Sequence, residues 1–299
     1  MEKLDLNWIR ANPLPEVGAV RDKDSRGRVL VIGGAEFVPG ALRLTGEAAL
    51  RAGAGKLQMA TVRSAAMALA VLVPEAAMIA LPADDEGEIA LEAAELLKER
   101  LPRCDTLIVG PGMSAGDQTA ELVAALLRVP VPEQTIILDA AALTCAKKLQ
   151  KMISAHDGRV ILTPHHREMS FLTGQDMDEI ESDPLSAAQR VARDFRAVVV
   201  LKSAHTVLAS QDRKALIFEG GSIGLATGGS GDVLAGLIGG TAARGTDAWT
   251  AAAWGVFTHG AAGAKLSASM GAIGFLAREL LPGIPSIMSE LQREDVRKS

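Results

Sequence analysis

The chain has 299 residues, enough for one large α/β domain or two small ones, and nearly half of them are apolar. A formal net charge of -5 supplies no global basic field, so nucleic acid and an anionic membrane are not expected partners. Two cysteines, Cys104 and Cys145, stand far apart in apolar or alanine-rich surroundings, which fits reduced core thiols in a cytosol and not a disulfide scaffold. The opening "MEKLDLNWIRANPLP" carries acids early and has no apolar h-region. It does not read as a signal peptide, and a cytoplasmic protein is expected. The most apolar stretch, "AAMALAVLVPEAAMIALPA", is broken by Pro74 and Glu75. It reads as a helix end, a turn and a buried strand, not a membrane span.

In chain order, short β-rich runs at 28–34, 56–61, 77–82, 106–112, 135–140, 159–165 and 197–203 alternate with helical patterns at 41–52, 64–71, 91–100, 119–127 and 185–195. Most of the strand runs are apolar without alternation, as expected when both faces are covered. The pattern predicts a three-layer α/β/α sandwich with a mainly parallel central sheet. Runs at 205–210 and 215–220 flank the polar "QDRK" and predict an antiparallel hairpin at one edge of the sheet. After Asp232 come "VLAGLIGGTAAR" and "AWTAAAWGVFTHGAAGAKLSAS", helices rich in alanine and glycine that permit close packing. With no Pro/Ser linker, repeat or low-complexity segment, a single domain over 1–299 is expected.

In such sheets ligands bind beyond the carboxyl ends of the strands. Five of the strand runs end in clusters suited to that place: "GGAEFVPG", "GPGMSAG", "LDAAA", "TPHHRE" and "LKSAH". The stretch "ATGGSGDVLAG" (226–236) stands out. Glycine permits successive backbone N–H groups to converge on an anion, and Asp232 falls at or near the start of the following helix. Two readings of this stretch remain open, an anion hole beside a functional carboxylate, or a tight turn with Asp232 as a simple N-cap. In "TPHHRE", Glu168 either acts in the first helical turn or orients His165, or it is a solvated cap with one exposed histidine beside it. Lys202 either meets a phosphate or is a surface lysine. "RAGAGKLQ" lacks the upstream glycine and the Ser/Thr of a P-loop, and "GPGMSAG" has the wrong spacing for a dinucleotide fingerprint. The histidines at 156, 165, 166, 205 and 259 show no zinc spacing, and no metal-ligand set is expected.

The blocks "RGRVLVIGG", "TGEAALRAGAGKL", "VGPGM", "LDAAAL", "TPHHRE", "VVVLKSAHTVLA", "ATGGSGDVLAG" and "THGAAG" occur in this order between residues 28 and 263. Together they resemble the ADP/ATP-dependent NAD(P)H-hydrate dehydratases, a branch of the ribokinase-like superfamily. The resemblance implies that Asp232 is the catalytic base and contacts the substrate, and that Gly228, Gly229, Ser230 and Gly231 form the nucleotide-binding turn. It implies that Lys202, Ser203, Ala204, His205 and Thr206 contact the adenine nucleotide. Gly40, Ala41, Gly112 and His165 would contact the hydrated nicotinamide dinucleotide. It also implies ADP or ATP as co-substrate with Mg2+, and a homo-oligomer, with a tetramer favoured. A separate epimerase is expected, because the first core strand begins near residue 28 and leaves no room for an N-terminal epimerase domain. Three positions depart from the family pattern: His166 and Arg167 replace Pro-Gly, Ser203 replaces glycine, and Ala141 replaces an aspartate. The alternatives are a small-alcohol or vitamin-precursor kinase of the same superfamily and a catalytically silent nucleotide-binding protein.

Overall fold

The computed structural model describes residues 1–16 and 24–293. Ten strands form one sheet: β1 (Glu2–Lys3), β2 (Arg28–Ile32), β3 (Lys56–Val62), β4 (Ala76–Leu81), β5 (Thr106–Val109), β6 (Thr135–Leu138), β7 (Val160–Leu162), β8 (Val198–Leu201), β9 (Thr206–Ala209) and β10 (Leu216–Phe218). Their order is β1-β10-β9-β8-β7-β6-β5-β2-β3-β4. All neighbours run parallel except β9, which is antiparallel to both β8 and β10. Every residue of β5, β6, β7 and β8 is buried. This is why those runs are continuously apolar: helices cover both faces of the sheet. The helices Gly40–Arg51, Ser230–Ala243, Ala248–Met270 and Ile284–Arg293 pack together on one face, and Asp117–Leu127, Ala141–Ala146, His166–Thr173 and Pro184–Phe195 on the other. The buried apolar side chains form one continuous cluster.

The glycines after Asp232 set how closely the first group packs. A Cβ on Gly236 would lie 2.1 Å from the Thr45 carbonyl oxygen, and one on Gly240 2.2 Å from that of Ala49. These two positions are one turn apart on one face. The Ser230–Ala243 helix therefore lies backbone to backbone against Gly40–Arg51, and any side chain there would push the two apart.

Two sheet expectations need correction. The 77–82 run was expected to be a buried strand, but β4 is the sheet's edge, and only Leu81 of its six residues is fully covered. The β9–β10 hairpin is antiparallel as expected, yet the outer edge belongs to β1, where Glu2 and Lys3 pair in parallel with Leu216 and Ile217. A two-residue polar strand has no periodic signal of its own; pairing with β10 alone makes it a strand. Among the described residues no helix is long and apolar enough to cross a membrane. Cys104 and Cys145 are free and buried, and burial pushes their thiols up to about 12 and about 11.

Candidate active site

The strand order reverses between β5 and β2, and in such sheets ligands bind beyond the carboxyl ends at that reversal. The loops leaving the two strands are tied together: Gly34 N–H donates to the Pro111 carbonyl at 2.8 Å and Ala35 N–H to that of Gly112 at 2.8 Å. Gly112 has φ +68, and a Cβ there would lie 2.4 Å from Val38 O and 3.0 Å from the Ala41 Cβ. Only glycine fits that approach. Gly112 and Ala41, proposed from sequence for the same ligand, thus meet in one cluster. Gly40, the first residue of the Gly40–Arg51 helix, is exposed, with open space where a Cβ would stand.

The glycine turn lies against the same helix. Gly229, at φ +89, is the N-cap of Ser230–Ala243, and a Cβ on it would lie 2.5 Å from Leu44 Cδ1. Asp232 is therefore not the N-cap that one sequence reading allowed; it is the third helical residue, and its carboxylate accepts no hydrogen bond from the described residues. Ser230 N–H donates to the Thr227 carbonyl at 3.2 Å, whereas the N–H groups of Gly228, Gly229, Gly231 and Asp232 have no acceptor among the described residues. Four unpaired N–H groups at the positive end of a 14-residue helix make a ready anion site.

Beside this turn is a buried charge cluster that sequence reasoning did not assemble. Lys202, at the end of β8, donates from Nζ to Asp139 Oδ1 at 3.0 Å and lies 3.8 Å from Glu168 Oε2. The same Nζ would be 3.4 Å from a Cβ on Gly231. The Lys202 ammonium, expected to contact the nucleotide, thus lies between these carboxylates and Gly231 of the glycine turn. Asp139, 2% exposed, also accepts from Thr163 Oγ1 at 2.6 Å. Burial opposes the charge on Lys202, but Asp139, Glu168 and Asp232 outweigh it and hold the ammonium above its ordinary value. Burial, reinforced by Asp139, pushes Asp232 up to about 7, and Lys202 limits the rise. Glu168 is likewise raised to about 7, chiefly by burial.

His165 is the N-cap of His166–Thr173. Its Nδ1 accepts from Glu168 N–H at 3.2 Å, and Glu168 Oε2 accepts from His165 N–H at 2.9 Å. Glu168 thus fixes His165 and closes the helix cap, but as a buried and not a solvated group, while the His165 side chain stays half exposed at the site's rim. Burial and the charge of Lys202 lower the His165 pKa, so its ring is neutral at neutral pH. Ser203 to Thr206 form the tight connection to β9, with Ser203 Oγ donating to the His205 carbonyl at 2.7 Å and Thr206 Oγ1 to that of Ser203 at 3.2 Å. Ala204 and His205 in this turn are exposed. His259, whose Nε2 lies 2.9 Å from Ser230 Oγ, was missed as a site residue; the block "THGAAG" was its only sequence signal. Among the described residues no cluster of three His, Cys, Asp or Glu suits a metal ion.

A family profile described as NAD(P)H-hydrate dehydratase matches residues 29–286, a span that takes in every site residue above. The chain belongs to the NAD(P)H-hydrate dehydratase family. It is 46% identical over 286 residues to the ADP-dependent (S)-NAD(P)H-hydrate dehydratase of Xanthomonas campestris pv. campestris, covering 95% of each chain. It is 38% identical to the bifunctional NAD(P)H-hydrate repair enzyme of Moorella thermoacetica, where it covers 96% of this chain but 54% of the relative. Among solved structures it is similar to the ADP/ATP-dependent NAD(P)H-hydrate dehydratase of Bacillus subtilis co-crystallized with ATP/Mg2+. That match has a TM-score of 0.80 and 27% identity, covering 97% of this chain and 98% of the other. The ribokinase-like fold expected from the sequence is the fold observed.

Proposed function

We propose that this chain dehydrates hydrated NADH and NADPH back to NADH and NADPH, driven by an adenine nucleotide. The observation that carries this reading is Asp232, a half-buried carboxylate raised to about 7 beside four unpaired N–H groups. A base of that strength is well matched to work near neutral pH. The ring hydroxyl of the hydrate is a poor leaving group, and phosphorylation makes it a good one. Asp232 accepts the hydroxyl proton as the oxygen attacks the terminal phosphorus and the bond from that phosphorus to the nucleotide's bridging oxygen breaks, releasing the nucleotide one phosphate shorter, while the N–H groups of Gly228, Gly229, Gly231 and Asp232 hold the phosphoryl oxygens. The ring nitrogen then expels phosphate, and loss of the adjacent ring proton restores the double bond. Gly112, Ala41 and His165 line the dinucleotide side, with Gly40 at its rim, and Ser203 to Thr206 lie toward the adenine nucleotide.

Mg2+ accompanies the nucleotide in this reading. Mg2+ is commonly held by substrate phosphates with one or two carboxylates and not by an all-protein cage, which accords with the described residues offering no preformed metal cluster. When bound, the ion neutralises phosphate charge. We further propose a single domain, a cytoplasmic setting consistent with two buried reduced thiols, and a homo-oligomer, with a tetramer favoured. The name of the Xanthomonas relative specifies one epimer, so this chain is expected to consume the S form and to work with a separate epimerase.

The test incubates purified protein with racemic hydrated NADH and ADP, then ATP. Dihydronicotinamide absorbance should return with release of free phosphate, and conversion should stall near half over the spontaneous epimerisation background. A stable phosphoester product would instead show a small-alcohol kinase, and no turnover with either nucleotide would show a silent binding protein.

A further inference from the structure

Ser230 differs from its neighbours in the glycine turn, because its backbone N–H is already used by the Thr227 carbonyl. What it retains for an anion is its hydroxyl, and that hydroxyl lies 2.9 Å from His259 Nε2. His259 sits on the Ala248–Met270 helix in a stretch with no room to shift. A Cβ on Gly260 would lie 2.2 Å from the Phe218 ring, and one on Gly263 2.6 Å from Leu225 Cγ. Leu225 belongs to the short turn that leads into Gly228, so the same packing fixes both the imidazole and the approach to the glycine turn.

We infer that His259 is a positioning residue: its Nε2–H donates to Ser230 Oγ and leaves the Ser230 hydroxyl hydrogen free to donate to the transferred phosphoryl group. This rests on the function proposed above. A serine hydroxyl has one hydrogen and two lone pairs. Were that hydrogen spent on the imidazole, lone pairs would face the phosphoryl oxygens. With the imidazole as donor, the hydrogen faces them and adds a fifth donor to the four N–H groups of the turn. A neutral imidazole carries its hydrogen on either nitrogen, and an anion in the turn selects the Nε2–H form. Burial pushes the His259 pKa down to about 4; the Ser230 backbone beside the ring opposes the fall, and the charge of Lys202 adds to it. The ring therefore gives one hydrogen bond without placing a second cation beside Lys202.

The test compares wild type with His259→Leu, His259→Gln, Ser230→Ala and the His259→Leu/Ser230→Ala double variant. Measured are kcat and KM for hydrated NADH and ATP, nucleotide affinity by calorimetry, and Tm. Losing a hydrogen bond to a charged group should lower kcat by about 10-fold or more in His259→Leu. Ser230→Ala, which leaves the helix packing alone, should show the same loss. The double variant should be no worse than either single one. The amide of His259→Gln can take the place of Nε2 and should restore kcat to within about threefold. Unchanged kcat in His259→Leu overturns the inference while leaving the proposed function standing, as does an equal loss in His259→Leu and His259→Gln accompanied by a fall in Tm. If wild type turns over no hydrate, the function falls, and the inference is then judged by 15N NMR of the imidazole with ATP bound. A hydrogen on Nδ1 in that spectrum overturns it; a hydrogen on Nε2 supports it.

Discussion

Asp232→Asn should make a slower and more stable protein. The wild-type carboxyl is raised from 3.8 to about 7 in the fold, so the native state binds its proton more tightly than the unfolded chain does. Stability therefore falls as pH rises from about 4 through about 7. At about 1.4 kcal/mol for each tenfold, the ceiling on this penalty above pH 7 is about 4 kcal/mol. Asparagine removes it but also gives up the favourable charge in the first helical turn, worth about 0.3–1 kcal/mol. A net gain of about 1–3 kcal/mol at pH 8 is expected, or a Tm rise of roughly 2–8 °C. Because Gly229 and not Asp232 is the N-cap, no capping bond is lost. Turnover should fall by roughly 10²–10⁴, the scale for a positioned general base. Urea melts at pH 8 and pH 5, read beside turnover, test the whole chain of argument: the stability gain must shrink at the lower pH. A variant less stable at pH 8, or a gain that ignores pH, would refute the argument that burial sets this carboxyl's proton affinity. Turnover within a few-fold of wild type would refute its role as base.

The acid limb of the pH–rate profile should lie near pH 7, where Asp232 loses its proton; a flat rate from pH 6 to 8 would contradict this. Lys202→Met should cost about 3–5 kcal/mol by leaving the buried Asp139 without its cation, measured by urea denaturation. Since Lys202 also restrains Asp232, any residual activity should show its acid limb moved to higher pH. Gly240→Val should destabilise by at least about 2 kcal/mol through overpacking against Ala49, and a denaturation midpoint equal to wild type would show that the two helices part more easily than their spacing implies.

The central strands were legible because burial on both faces writes itself into the sequence as unbroken apolar runs. β4 and β1 were misread or missed for one reason: edge position is a property of pairing, and neither "AAMIAL" nor "EK" says which neighbour it lacks. Gly112 and His165 stood out in clusters that end strand runs and Asp232 in its glycine stretch, while Ala41 was named only through the family resemblance. Their partnerships were not legible. Lys202 and Asp139 stand 63 positions apart, each the residue just after β8 and β6 with β7 between those strands, so only the sheet order makes them an ion pair. Ser230 and His259 belong to different helices, and a histidine among alanines and glycines gives no hint of which hydroxyl it will meet. The "TPHHRE" departure is better understood from the structure: His165 and Glu168 close the capping box, while the intervening His166 turns to Glu181 at 3.2 Å and takes no part in the box.

The short parallel pairing of Glu2–Lys3 with Leu216–Ile217 also bears on how the chain is made. Its two halves lie roughly two hundred residues apart, a separation that slows the search for native contacts. On the ribosome, β1 leaves the tunnel long before β10 exists, and the N-terminal helix Leu6–Ala11 must wait longer still for Ile284–Arg293, the element it packs on. Glu2–Lys3 and the helix Leu6–Ala11 thus dock on elements made far later than themselves, the last described strand and the last described helix. Trp254 Nε1, which donates to the Asn12 carbonyl at 2.7 Å, closes the same long loop from the far side. A product that ends before β10 would keep the parallel pairing of β2 to β8 and leave Glu2–Lys3 without its partner strand.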